Sequence, residues 1–191
     1  MAVFRVVLDA CVLYPIGLTD LLLTSSLSGL YQAYWSPTII DEALRNLIAD
    51  RPDVPEHALR RRFAMMDEAI ESASVEAPAT LIEAMTNDPK DRHVLALAVW
   101  VGAEVIVTDN LKDFPADACA PYGVEIQSPD TFVEHLVSLD PATMWDTLDE
   151  MASRRRSPPA TALDVLEHFA GGHLPIAMTA LRAAASAQGL L

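Results

Sequence analysis

Six acids carry the chemistry this chain can offer: Asp9, Glu42, Asp88, Asp91, Asp109 and Asp113. Asp9 closes the apolar run VFRVVL, and Asp109 closes EVIVT. Glu42 falls in the first turns of a helix begun by Pro37, and Asp91 in the first turn of DRHVLALAV. Asp88 lies three residues before Asp91, and Asp113 about one turn of loop after Asp109. Carboxylates gathered at one place repel and raise one another's pKa unless a cation neutralises them. Hard oxygen ligands of this kind suit Mg²⁺ or Mn²⁺. The chemistry that follows is hydrolysis of a phosphodiester, with metal-activated water and a stabilised charge on phosphorus. Each acid also has a plain reading. Asp9 and Asp109 can serve as turn or cap residues, Asp88 and Asp91 can complement a helix dipole, and Glu42 can sit on a helix surface beside Asp41.

The elements that must position these acids follow from pattern. Residues 3–8 are apolar apart from Arg5, as a central parallel strand should be. Helical spacing over 19–30 has Thr19 as its cap, and YQAYW is a short strand. Ser36 and Pro37 open an amphipathic helix that runs to about Asp50. After the RPDVP break come a helix over EHALRRRFAMMDEAIE, a brief extended segment within SASVEAP and a short helix ATLIEAM. NDPKDRHVLALAVWVGA reads as a loop and then a helix closed by Gly102. EVIVTD is a strand, NLKDFPADACAPYG a loop, VEIQ a strand, and SPDTFVEHLVS a helix capped by Ser128. The sum is α/β: a central parallel sheet covered by helices on both faces. In open sheets of this kind functional residues gather at the carboxyl ends of strands. If 3–8 and 104–108 are neighbours, Asp9 and Asp109 share one edge. LDPA at 139–142 marks a boundary between a domain of residues 1–139 and a small all-α C-terminal appendage of residues 140–191. The appendage has helices over 143–152 and 161–170 and a last one from near Pro175.

Bulk properties narrow the partners. The formal net charge is −14, from 27 acids against 13 lysines and arginines. That argues against a broad basic surface for nucleic acid. It fits solubility, a basic protein partner or a cation-binding acid cluster. The start of the chain lacks the pattern of a signal peptide, and the apolar run 94–101 is too short to span a bilayer, so a cytoplasmic protein without membrane contact is expected. Cys11 and Cys119 form no metal-ligand spacing and read as reduced thiols, Cys11 as a small core residue that can also line a site.

Together VVLDACVLYP, SPTIIDEALRNL, NDPKDRHVLALAVWVGAEVIVTDNLKDFP and IQSPDTFVEHL resemble the PIN-domain ribonucleases, and most closely the VapC-type toxins of bacterial toxin–antitoxin pairs. The resemblance runs in order from residue 3 to about 137. It implies a PIN-like fold and a Mg²⁺-dependent endoribonuclease, with Mn²⁺ as a substitute. It also implies an RNA substrate, a cognate antitoxin and a homodimer as partners. Carried over by motif, the catalytic set is Asp9, Glu42, Asp91 and Asp109, and the metal set is Asp9, Asp91, Asp109 and Asp113. Many relatives place the last acid one residue later, where this chain has Asn110, so Asp113 replaces or joins Asp109. Asp88, Asn110 and Thr108 are additional candidates. Cys11 stands where many relatives carry a polar residue such as Asn. A phosphatase built on D-x-D is disfavoured, because Cys11 fills the second position. The remaining alternative is a non-catalytic PIN-like module that binds RNA or protein.

Other features have plainer readings. Arg60–Arg62 read as a solvated helix face, and Arg154–Arg156 as an exposed linker or a phosphate grip. His93 is placed about 200° around a helix from Asp91 and so away from the acids. Trp35, Trp100 and Trp145 read as core or interface.

Overall fold

The computed structural model describes residues 4–156 and 160–191. Val3 of the first expected strand and residues 157–159 after the second arginine run lie outside the described residues. Strands β1 (Arg5–Leu8), β2 (Gln32–Tyr34), β3 (Val105–Val107) and β4 (Glu125–Gln127) form one parallel sheet in the order β2-β1-β3-β4. Val6, Val7 and Leu8 of β1 and Ile106 and Val107 of β3 are fully buried. Uniformly apolar strands are what a sheet covered by helices requires. β1 pairs β3 with Val6 opposite Val105 and Leu8 opposite Val107, which sets Asp9 beside Thr108.

The helices are α1 (Ala10–Leu13), α2 (Ile16–Leu27), α3 (Pro37–Asp50), α4 (Glu56–Ala69), α5 (Ala79–Ala84), α6 (Arg92–Val101), α7 (Ala116–Cys119), α8 (Pro129–Leu139), α9 (Pro141–Ser153), α10 (Ala162–Ala170) and α11 (Pro175–Gln188). Local chemistry sets several of their ends. Ser36 accepts from the Ile39 N–H and Ser128 from the Thr131 N–H, each just ahead of a proline at the first helical position. Gly102 ends α6 in the left-handed region, at φ 64°, where a side chain is disfavoured.

Three local expectations are corrected. α2 starts at Ile16 and not at Thr19, which is buried inside the helix. α1, directly after Asp9, was not expected. The stretch 110–122 holds a 3₁₀ turn at Leu111–Asp113, α7, and a second 3₁₀ turn at Ala120–Tyr122. Elements of one turn are too short for hydrophobic period to reveal them.

The chain divides into two compact units. One comprises the residues up to Ile16 with Tyr31–Gln127, and it contains the whole sheet. The other comprises Gly17–Leu30 with Ser128–Leu191, and its described residues are helical or loop. This grouping cuts the chain elsewhere than residues 139 and 140, because α2 and α8 group with α9, α10 and α11. Within the helical unit, α11 packs on α8, and α10 on α9 and α11. α10 buries Val165, Leu166 and Phe169, and α11 buries Ala177, Met178 and Leu181, the apolar stripes expected of helices with covered faces. Asp130 fixes the start of α11 by accepting from the Ile176 and Ala177 N–H groups. Arg154 is no free linker residue: it pairs with Asp20 at 3.2 Å and donates to Thr24 Oγ1.

Candidate active site

The sheet order reverses between β1 and β3, and the crevice outside that point is where open α/β sheets bind ligands. Asp9 lies there and is buried. Three groups hold its carboxylate. The Ala10 N–H donates to Oδ1 at 2.6 Å, while Thr108 Oγ1 and Cys11 Sγ donate to Oδ2 at 2.6 and 3.3 Å. The Asp9 N–H continues the ladder onto the Val107 carbonyl.

Cys11 is thus not a core residue. It is half-buried, it donates to Asp9, and its sulfur accepts from the Asp109 N–H at 3.3 Å. Burial first, and then the Asp9 charge, push its thiol up to about 12. It therefore acts as a neutral donor and not as a nucleophile.

Asp91 is the second buried acid, 7% exposed. It stands just outside α6 with non-helical backbone (φ −106°, ψ 6°), and its side chain caps nothing. The helix-dipole reading therefore lacks its usual hydrogen bond. Its carboxyl is pushed up to about 6. Burial is the largest cause, followed by the charges of Asp9, Asp113, Glu42 and Asp88. Four carboxylates, three of them from other segments, bear on this one group.

Backbone bonds hold those segments. The Asp88 N–H donates to the Asp113 carbonyl at 3.2 Å, tying the loop before α6 to the turn after β3. The Asp91 N–H donates to the Asp88 carbonyl, and the Lys90 N–H to Asp88 Oδ1. In the β3 turn, the Asn110 N–H donates to Thr108 Oγ1 and the Asp113 N–H to the Asn110 carbonyl. Thr108 therefore links Asp9 to the turn that carries Asp113.

The candidates from sequence fall into two groups. Asp9, Glu42, Asp88, Asp91 and Asp113 share one field at Asp91. Asp109 and Asn110 are exposed, and Asp109 meets Cys11 through its backbone N–H. Thr108 meets Asp9 directly. His93 corrects the helical-wheel expectation. Its Nε2 faces Glu42 Oε2 at 3.8 Å. The wheel assumed that Asp91 belonged to the helix, and Asp91 lies outside it.

The donor set fits a hard divalent cation, because it consists of carboxylates and one of them is raised by the others' charge. Buried polar atoms beside the acids also lack hydrogen-bond partners: Asn87 Nδ2 and Oδ1, next to Asp88, and His93 Nε2. Such orphans suit a site completed by a polar ligand or water. Among the described residues no three His, Cys, Asp or Glu side chains form a ready-made ligand group. The fit is one of chemistry and charge, not of a finished cage.

Two arginines of the first basic run are engaged within the protein. Arg60 pairs with Glu56, and Arg62 donates to the Leu13 and Tyr14 carbonyls at 2.8 and 3.2 Å. Trp35 is fully buried and donates to Asp67, whereas Trp100 is 56% exposed and so is not core.

Comparison with known proteins agrees with this layout. A family model described as "PIN domain" matches residues 5–112, and one described as "VapC50 C-terminal domain" matches residues 129–183. A curated relative from Mycobacterium tuberculosis (strain ATCC 25618 / H37Rv), named "Putative ribonuclease VapC50", is 44% identical over 87 residues. That stretch is 46% of this chain and 52% of the relative, so the chain spans about half the length of the curated relative it matches. No solved structure matches the chain.

Proposed function

The chain belongs to the PIN-domain family, and from that membership and its acid cluster we propose that it is a Mg²⁺- or Mn²⁺-dependent endoribonuclease, the toxin of a toxin–antitoxin pair. The observation that carries the reading is Asp91, buried and raised to about 6 beside Asp9, Asp113, Glu42 and Asp88 at the carboxyl edge of a parallel sheet. Uncompensated, such a cluster is a cost to the fold, and a divalent cation removes it.

Asp9, Asp91 and Asp113 are the acids that would hold the cation, with Asp109 and Asp88 at the margin. A bound cation supplies an activated water and a counter-charge for the phosphorane-like transition state. Thr108, Cys11 and the Ala10 N–H hold the Asp9 carboxylate in a single orientation. We assign Glu42, which His93 faces at 3.8 Å, the role of taking a proton from an attacking water.

The formal charge of −14 favours an antitoxin that presents a basic segment. A homodimer and a cytoplasmic location complete the reading. In keeping with it, no described helix is long and apolar enough to cross a membrane.

The test is cleavage of single-stranded RNA in Mg²⁺ or Mn²⁺, repeated in EDTA and with Asp9→Asn. Cleavage that EDTA and Asp9→Asn both abolish supports the proposal. RNA binding without metal-dependent cleavage points instead to a non-catalytic PIN-like module.

A further inference from the structure

One face of α3 extends the acid site into a second compartment. Glu42, Asn46 and Asp50 recur at four-residue spacing, so they stand on successive turns of the same face. Glu42 acts on Asp91. Asn46 and Asp50, with Ala49, line one wall of a cleft of about 340 Å³, and Cys11 and Tyr14 line the other. Cys11 belongs to both places, because its sulfur also contacts Asp9 Oδ2 and the Asp109 N–H. A molecule seated in the cleft therefore abuts the group that holds Asp9.

The lining selects a chemical class. It contains no lysine or arginine, and Asp50 adds a negative charge, so a phosphate is disfavoured. The one carboxylate already accepts the Tyr14 hydroxyl at 3.0 Å, so a divalent cation finds too few ligands. What the cleft offers is an aromatic ring, a thiol edge and an amide. Asn46 is exposed on that wall, so its amide is open to a ligand. A ring for stacking and an exposed amide for edge recognition are the means by which proteins read unpaired RNA bases.

Resting on the nuclease reading above, we infer that the cleft between α1 and α3 holds the nucleobase beside the scissile phosphate of single-stranded RNA, with Asn46 reading its edge and Tyr14 stacking on it. The acids act on the phosphate while the cleft selects where along the strand they act. Base preference at one position next to the cut thus comes from α3.

The experiment uses the full chain and a pool of single-stranded RNA randomised on both sides of a fixed centre. Cut ends are sequenced after digestion in Mn²⁺, and bound RNA is sequenced after filter selection in EDTA. Wild type, Asn46→Ala, Asn46→Asp and Tyr14→Leu are compared, with thermal melts to show that each is folded. Wild type should favour one base at one flanking position. Asn46→Ala should flatten that preference about tenfold, the discrimination of one two-point amide contact. Asn46→Asp should move the preference towards bases with amino donors, and Tyr14→Leu should weaken binding at the same position. If wild type cuts RNA and the Asn46 variants keep its base preferences, the inference is overturned and the nuclease reading stands. Should wild type fail to cut yet select a base in an Asn46-dependent way, the nuclease reading falls and the base site stands. Unchanged base preferences with weakened antitoxin binding would make the cleft a protein-docking site, which also overturns it.

Discussion

Thr108 donates its hydroxyl hydrogen to Asp9 Oδ2 at 2.6 Å, across 99 residues of chain. The contact follows from register. Leu8 pairs with Val107, so the next residue of each strand emerges beside the other. Thr108 Oγ1 also accepts the Asn110 N–H, so a single hydroxyl aims Asp9 and secures the turn leading to Asp113. Thr108→Val keeps the shape and removes both bonds. It should lower stability by about 1–3 kcal/mol, because buried groups lose a partner, and RNA cleavage should fall as well. Thr108→Ser should restore most of both. Denaturant unfolding and a cleavage assay on the three proteins check this.

Arg62 is expected to matter where its neighbours do not. α1 is only four residues long, so its last carbonyls have no partners inside the helix. Arg62 supplies them, donating to Leu13 and Tyr14. Arg62→Ala should cost about 1–3 kcal/mol. Arg61→Ala, on an exposed position, should stay within about 0.5 kcal/mol of wild type. Equal urea midpoints for the two variants would remove the anchoring role.

Both thiols should be slow to alkylate. Cys11 is pushed up to about 12 by burial and the Asp9 charge, and burial raises Cys119 as well. At pH 8 almost no thiolate is present on Cys11, burial disfavours it on Cys119, and the thiolate is the reactive form. Intact-mass analysis after iodoacetamide should show little adduct on the native protein and two adducts in denaturant. Fast native labelling at Cys11 would contradict its role as a protonated donor to Asp9.

The contrast between what the residues announced and what they hid has a physical pattern. β1 and β3 were legible because their runs, Arg5 apart, are apolar on both faces. The starts of α3 and α8 were legible because a serine followed by proline states a helix start locally. The association of Asp9 with Asp91 was inferable once the strands were taken as neighbours. His93 and Cys11 were misplaced for a shared reason. Their surroundings depend on where a short non-helical link ends, at Asp91 in one case and after Asp9 in the other, and no periodicity reports that. Asp109 and Asp113 are four residues apart, and only the 3₁₀ turn at Leu111–Asp113 decides which of them reaches Asp91's field. Arg62 looked like a member of a solvated run because its acceptors are main-chain carbonyls, which carry no side-chain signature.

Asp91→Asn separates a functional acid from a structural one through pH. The folded carboxyl titrates near 6, above its ordinary value of 3.8. Between those values the native state keeps a proton that the unfolded chain has lost. Asp91's contribution to stability is therefore full below about 3.8 and is lost as pH rises through about 6. Above that, its charge opposes folding beside Asp9, Asp113, Glu42 and Asp88. In EDTA at pH 7, Asp91→Asn should then be more stable than wild type by about 1 kcal/mol, with a flatter stability profile between pH 4 and about 6. Millimolar Mn²⁺ should reverse the order. On the proposed metal reading, wild type should gain stability by binding the cation in its folded state, and the variant, one carboxylate short, should gain much less. RNA cleavage by the variant should drop by orders of magnitude, since the activated water and the counter-charge are lost together. Thermal melts across pH in EDTA and in Mn²⁺, beside one cleavage assay, measure all of this. Equal Mn²⁺ shifts with cleavage retained would take Asp91 out of the metal site. An unchanged pH profile would show that its carboxyl does not feel the other four.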